Sequence, residues 1–90
     1  MDNSNQLAYY IEDLWSRGFK LSDEDVHFIY FGKNSTRAPE WKIILSLQVT
    51  LRYQRAFDGS FFLSVLELLE KDFVKNRRQA DSVLKRKGFA

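Results

Sequence analysis

The sequence predicts an α+β domain in which a small antiparallel β-hairpin is packed by an amino-terminal helix and a long carboxyl-terminal helix. Apolar residues recur at helical spacing near both ends, whereas between Trp41 and Gln54 they alternate with polar ones. Gly18, Gly32 and Gly59 fall where that period changes. The alternative is an all-α chain with helices over Ser22 to Phe31 and Pro39 to Phe57, which would allow a helix-turn-helix layout.

The first helix follows Asn3 or Ser4 as cap, with Leu7, Tyr10, Ile11, Leu14 and Trp15 on one face and Gly18 in the C′ position. The next segment carries conflicting signals. Ser22 followed by Asp23, Glu24 and Asp25 is a capped helix start, and Gly32 with Lys33 resembles its end. Val26 to Phe31, however, is β-branched and aromatic, and the strand expected after Trp41 needs a neighbour. A strand is therefore expected at Val26 to Phe31, with the polar GKNSTRAP segment as the hairpin loop.

In the second strand Leu45, Leu47, Val49, Leu51 and Tyr53 face the core, against Ser46, Gln48, Thr50, Arg52 and Gln54 on the wet side. After the Asp58-Gly59 turn, Ser60 caps a last helix. Its inner face holds Phe62, Val65, Leu66, Leu69, Phe73, Ala80, Val83 and Leu84. Unbroken to Lys87 it would run about 42 Å. So it either bends between Asn76 and Gln79 or projects, and a projecting stripe would favour a homodimer. The expected core is Leu7, Ile11, Leu14, Trp15, Leu45, Leu47, Val49, Leu51, Phe62, Leu66, Leu69 and Phe73.

Ninety residues without a low-complexity stretch make a single compact domain spanning 1–90. With 44% hydrophobic and 16% aromatic residues the chain can fill a core. It has no cysteine, so thiolate chemistry and disulfides are excluded. No run approaches the ~20 apolar residues of a membrane span, and MDNSNQ is unlike a secretory signal, so a cytoplasmic protein without membrane contact is expected. Net charge is +2, but residues 1–40 hold four basic and seven acidic side chains, and residues 41–90 hold ten basic and five acidic.

That asymmetry points to the far side of the last helix. Lys71, Lys75, Arg78 and Lys85 would cluster opposite the apolar stripe, with Arg77, Arg86 and Lys87 nearby. Cations on one rigid face suit a phosphate backbone, because each neutralised phosphate releases counterions. The bland reading is a solvated face containing a Glu67–Lys71 helical pair. Tyr53 lies among Arg52 and Arg55, but alternation assigns its ring to the core, where it cannot stack on bases. A helix-strand-strand-helix order resembles that of double-stranded RNA binders. The last helix departs from them, because it opens Ser60-Phe61-Phe62-Leu63 with Glu67 and Glu70 following, instead of a lysine cluster.

Catalysis has little to stand on. His27 is the single histidine and lies among aromatics, and Ser22 with Asp25 serves a cap better than a triad. Asp23, Glu24 and Asp25 are consecutive and cannot converge on one ion, so no metal site is expected. Glu12, Asp25 and Glu40-Trp41-Lys42 are spaced loosely like the acidic set of metal-dependent nucleases, but neither Asp25 nor Glu40 ends an apolar strand. No two glycines are close enough for a phosphate-gripping loop, and no cofactor is expected. The expected function is thus a non-enzymatic regulator that binds a DNA or RNA backbone through the basic face. The alternative is a small inhibitor or adaptor of the mobile-element or phage type, directed at a protein target through exposed aromatics and the acidic first half.

Overall fold

The computed structural model describes residues 6–71 and 73–89. They form helices α1 (Gln6–Ser16), α2 (Asp23–Thr36), α3 (Glu40–Gln54), α4 (Gly59–Lys71) and α5 (Arg77–Arg86), with no strand among them. The α+β expectation is therefore overturned in favour of the all-helical alternative.

α1 turns Leu7, Ile11 and Leu14 into the core and ends as expected at Gly18, whose φ of 97° is the left-handed C′ conformation. Phe19 N–H closes that end on the Leu14 carbonyl at 2.9 Å. The Asn3 or Ser4 cap lies outside the described residues. At the described end of α1 a distant side chain supplies a partner, since the Glu40 carboxylate accepts from Leu7 N–H at 2.9 Å. Its other oxygen meets Lys33 Nζ at 3.2 Å, so one part-buried carboxylate joins α1, α2 and α3. Trp15, expected in the core, is half exposed.

For α2 the capping signals prevail over strand propensity. Ser22 Oγ accepts from Asp25 N–H at 3.0 Å while Asp25 accepts from Ser22 N–H at 3.1 Å, a complete capping box with three acids in the first turn. Nor does the helix stop at Gly32. That residue is buried where α2 crosses α4, and a Cβ there would sit 3.1 Å from the Phe62 ring. It permits close approach and marks no boundary. α2 runs on to Thr36 and ends on Arg37 at φ 57°.

α3 explains the false strand. Residues four apart on a helix fall nearly in line, about 40° apart around the axis. Ile43, Leu47 and Leu51 form one such line, packed with Phe62 and Leu66; Leu45 and Val49 form another, packed with Val65 and Leu69. The two lines are offset by two residues and both are buried, so together they read as alternation. Between them Lys42, Ser46 and Thr50 are also buried, on the side where Lys42 Nζ meets Glu70 of α4 at 2.6 Å. The line through Gln48 and Arg52 emerges into solvent, as do Tyr53 and Gln54 at the end of the helix.

The long last helix is two helices. α4 starts at Gly59, with Asp58 Oδ1, not Ser60, accepting from Phe61 N–H at 3.1 Å. Beyond Lys71, Phe73 takes a left-handed φ of 54° and Val74 N–H returns to the Leu69 carbonyl, which turns the chain. Asn76 then caps α5 by accepting from Gln79 N–H at 2.9 Å. The break thus falls beside the Asn76 interruption in the stripe. Phe73 is not core but 81% exposed. Val65, Leu69, Val74, Ala80, Val83 and Leu84 close on Leu45 and Val49 as a second cluster, so of the two courses open to the stripe the chain takes the bend.

Candidate functional site

α3 and α5 enclose a cleft of about 620 Å³. Leu45, Val49 and Leu84 give it an apolar floor, and Gln48 and Ser82 add neutral hydrogen-bonding groups. Its rim carries Arg52 from α3 with Arg77, Arg78 and Lys85 from α5, against the one carboxylate of Asp81. Tyr53 and Phe89 complete the lining.

The placement of each cation follows from the local fold. Arg52 stands with Gln48 on a solvent-facing line of α3. Ala80, Val83 and Leu84 turn inward from α5, which leaves Arg78 and Lys85 on the outer side of a short helix. Arg77 pairs with Asp81 at 3.3 Å, both more than 60% exposed, a contact worth at most about 1 kcal/mol and open to exchange for another anion. Among the described residues no carboxylate is ion-paired with Arg52, Arg78 or Lys85. Arg77 and Arg78 occupy the first turn of α5, where no acid complements the helix dipole. Positive charge there is unfavourable by a few tenths of a kcal/mol or more, and an anion in the cleft would relieve it.

The break between α4 and α5 divides the cations that one long helix would have carried on a single face. Arg77, Arg78 and Lys85 come together at the cleft. Lys71 ends α4 and Lys75 precedes α5, both exposed and neither in the lining; Arg86 is likewise outside it, and Lys87 borders a small apolar hollow with Phe61, Leu68 and Phe89. Sequence reasoning missed Gln48, Arg52, Tyr53 and Phe89 as partners of these cations. The juxtaposition of Arg52 with Tyr53 was the available signal, but it depends on α3 being a helix. On a strand Tyr53 belongs to the core, whereas here its ring is 42% exposed.

A shallower cleft of about 260 Å³ shares Gln48 and Arg52 with the first and continues past Tyr10, Leu14, Arg17 and Phe19. Partial burial raises the Tyr10 phenol above its ordinary range; the nearby Arg17 charge and hydrogen bonds from Arg17 and Gln48 oppose that rise, and Asp13 adds to it. Arg17 itself pairs with Asp13 at 3.0 Å.

The acids considered for chemistry have structural work. Asp25 closes the α2 capping box and Glu40 holds the α1 amide and Lys33, while His27 is exposed on α2. Among the described residues no three histidines or carboxylates gather where they could hold a metal ion. No helix among them is long and apolar enough to cross a membrane.

The model of a family of unknown function, DUF6123, matches residues 2–90. The chain belongs to that family. No curated protein and no solved structure matches it. Membership in DUF6123 names no activity.

Proposed function

We propose that this domain is a non-enzymatic module that binds the phosphate backbone of a nucleic acid in the cleft between α3 and α5. The observation that supports it is the convergence of Arg52, Arg77, Arg78 and Lys85 from two helices on one concavity with a single carboxylate. Such a group attracts a polyanion and gains from released counterions, with little demand on sequence. With that partner and no reaction of its own, the domain would act as a regulator or accessory protein, read here as cytoplasmic.

Fluorescence anisotropy with mixed-sequence DNA and RNA, at two salt concentrations, tests it. Three or four neutralised phosphates predict affinity falling roughly 20- to 150-fold between 50 and 200 mM salt, less for a single strand than for a duplex. Replacing Arg78 and Lys85 together with Glu abolishes binding and leaves the thermal melt intact, because both side chains are exposed. Indifference to both nucleic acids at micromolar protein and low salt removes the reading.

A protein-directed reading has its own support. Tyr9, Trp15 and Phe31 are each at least half exposed on α1 and α2, and none lines the cleft. If an adaptor or inhibitor function resides there, alanine at Tyr9 and Trp15 abolishes capture of the target while the charge reversal on α5 leaves it unchanged.

A further inference from the structure

We infer that the nucleic acid is single-stranded, with its backbone on the cleft cations and a base stacked at Tyr53. The inference rests on the proposed phosphate-binding role and adds the form of the strand. Its first support is shape. The cations sit on the walls of a concavity, not on a projecting ridge. Duplex DNA is read by convex elements entering its grooves and is stiff over about 50 nm, so it cannot fold into a hollow of about 620 Å³. A flexible single strand can.

The second support is the aromatic group at one end. Tyr53 lines the cleft beside Phe89, its ring centroid 5.4 Å from that of Phe89 at 78° and 6.5 Å from that of Phe61 at 26°. Phe61 and Phe89 meet edge to face at 5.7 Å. Two neighbours thus hold the Tyr53 ring in place while 42% of the residue remains exposed. A pre-set, partly bare ring beside cations is the arrangement on which bases stack with little sequence preference. The hydrogen-bonding groups of Gln48 and Ser82 lie in the same lining.

The third support is continuity. Gln48 and Arg52 belong also to the neighbouring cleft that leads to Arg17, so positive charge runs from Lys85 and Arg78 past Arg52 toward α1. An extended strand of several nucleotides matches such a track.

The test uses the full chain and fluorescein-labelled probes at one salt concentration: a dT12 oligonucleotide, a 12-base-pair duplex and a poly-Glu peptide. The expected result is dT12 bound at least about ten-fold more tightly than the duplex, and poly-Glu bound more weakly than either. Tyr53→Ala weakens dT12 binding about ten-fold and Tyr53→Phe restores it, while Arg52→Gln lowers the salt slope by about 0.7. Should Tyr53→Ala fail the thermal-melt control, Tyr53→Leu takes its place, and the comparison of wild-type affinities needs neither. Duplex bound as tightly as dT12, or dT12 affinity unchanged in the Tyr53 variants, overturns the single-strand inference and leaves phosphate binding standing. No binding to either oligonucleotide, or preference for poly-Glu, overturns both.

Discussion

Three helices of this domain end on left-handed residues that are not glycine, and Phe73 is the least suited of them. Arg37, Arg55 and Phe73 have φ of 57°, 64° and 54°. A side chain with a Cβ pays about 1 kcal/mol in that region, and Phe73 recovers none of it by burial, being 81% exposed. Phe73→Gly is therefore expected to raise stability by about 0.5–1 kcal/mol in urea unfolding, the greater freedom of glycine in the unfolded chain offsetting part of the gain. A loss of stability would mean that the ring has contacts in solution that its exposure does not reveal. Glu40 is the opposite case. Its two oxygens serve Leu7 N–H and Lys33, and nothing in its sequence neighbourhood announces that role, because both partners are distant along the chain.

α3 shows at the scale of one element why part of this fold was legible and part was not. α1 presented a single apolar line ending in glycine, so its course and its inward residues Leu7, Ile11 and Leu14 could be read directly. The same held for the apolar line of α4 and α5 apart from Phe73, which is exposed beside the break. α3 is buried on three sides, and two apolar lines offset by two residues mimic the period of a strand. The mistaken strand then required a partner, which drew Val26 to Phe31 away from its own capping box. That error also hid the cleft, since Arg52 and Tyr53 can join α5 only from a helix. The line of α3 that meets α4 calls for small size and makes no use of one hydroxyl. Ser46 is fully buried with no hydrogen-bond partner for Oγ, whereas Thr50 Oγ1 donates to the Ser46 carbonyl at 2.7 Å. Ser46→Ala is expected to stabilise the domain by about 1 kcal/mol, through loss of an unsatisfied hydroxyl and gain in helix propensity. Ser46→Leu is expected to cost about 1–3 kcal/mol by overpacking against α4. Chemical denaturation of the two variants checks both signs.

Across the whole molecule, two apolar clusters meet back to back on α3 and α4. The first ties α1 and α2 to that pair, and the second ties on α5. α5 has ten residues, too few to persist as a helix alone, and it is held mainly by Ala80, Val83 and Leu84 beneath a coat of charge. Its amides are therefore expected to exchange with solvent by a local opening of lower free energy than the one that exposes α3, whose buried residues belong to both clusters. The cleft is bounded by these two helices, so a strand that contacts Arg52 together with Arg78 and Lys85 can bind only while α5 is docked. Binding then adds its free energy to the closed state and slows opening in proportion to occupancy. Hydrogen exchange read by mass spectrometry, without and with saturating dT12, should show peptides from 77–86 gaining the most protection while the interior of α3, already slow, changes little. Protection confined instead to α1 or α2 would place the ligand on the aromatic surface around Tyr9, Trp15 and Phe31, and the cleft would lose its role.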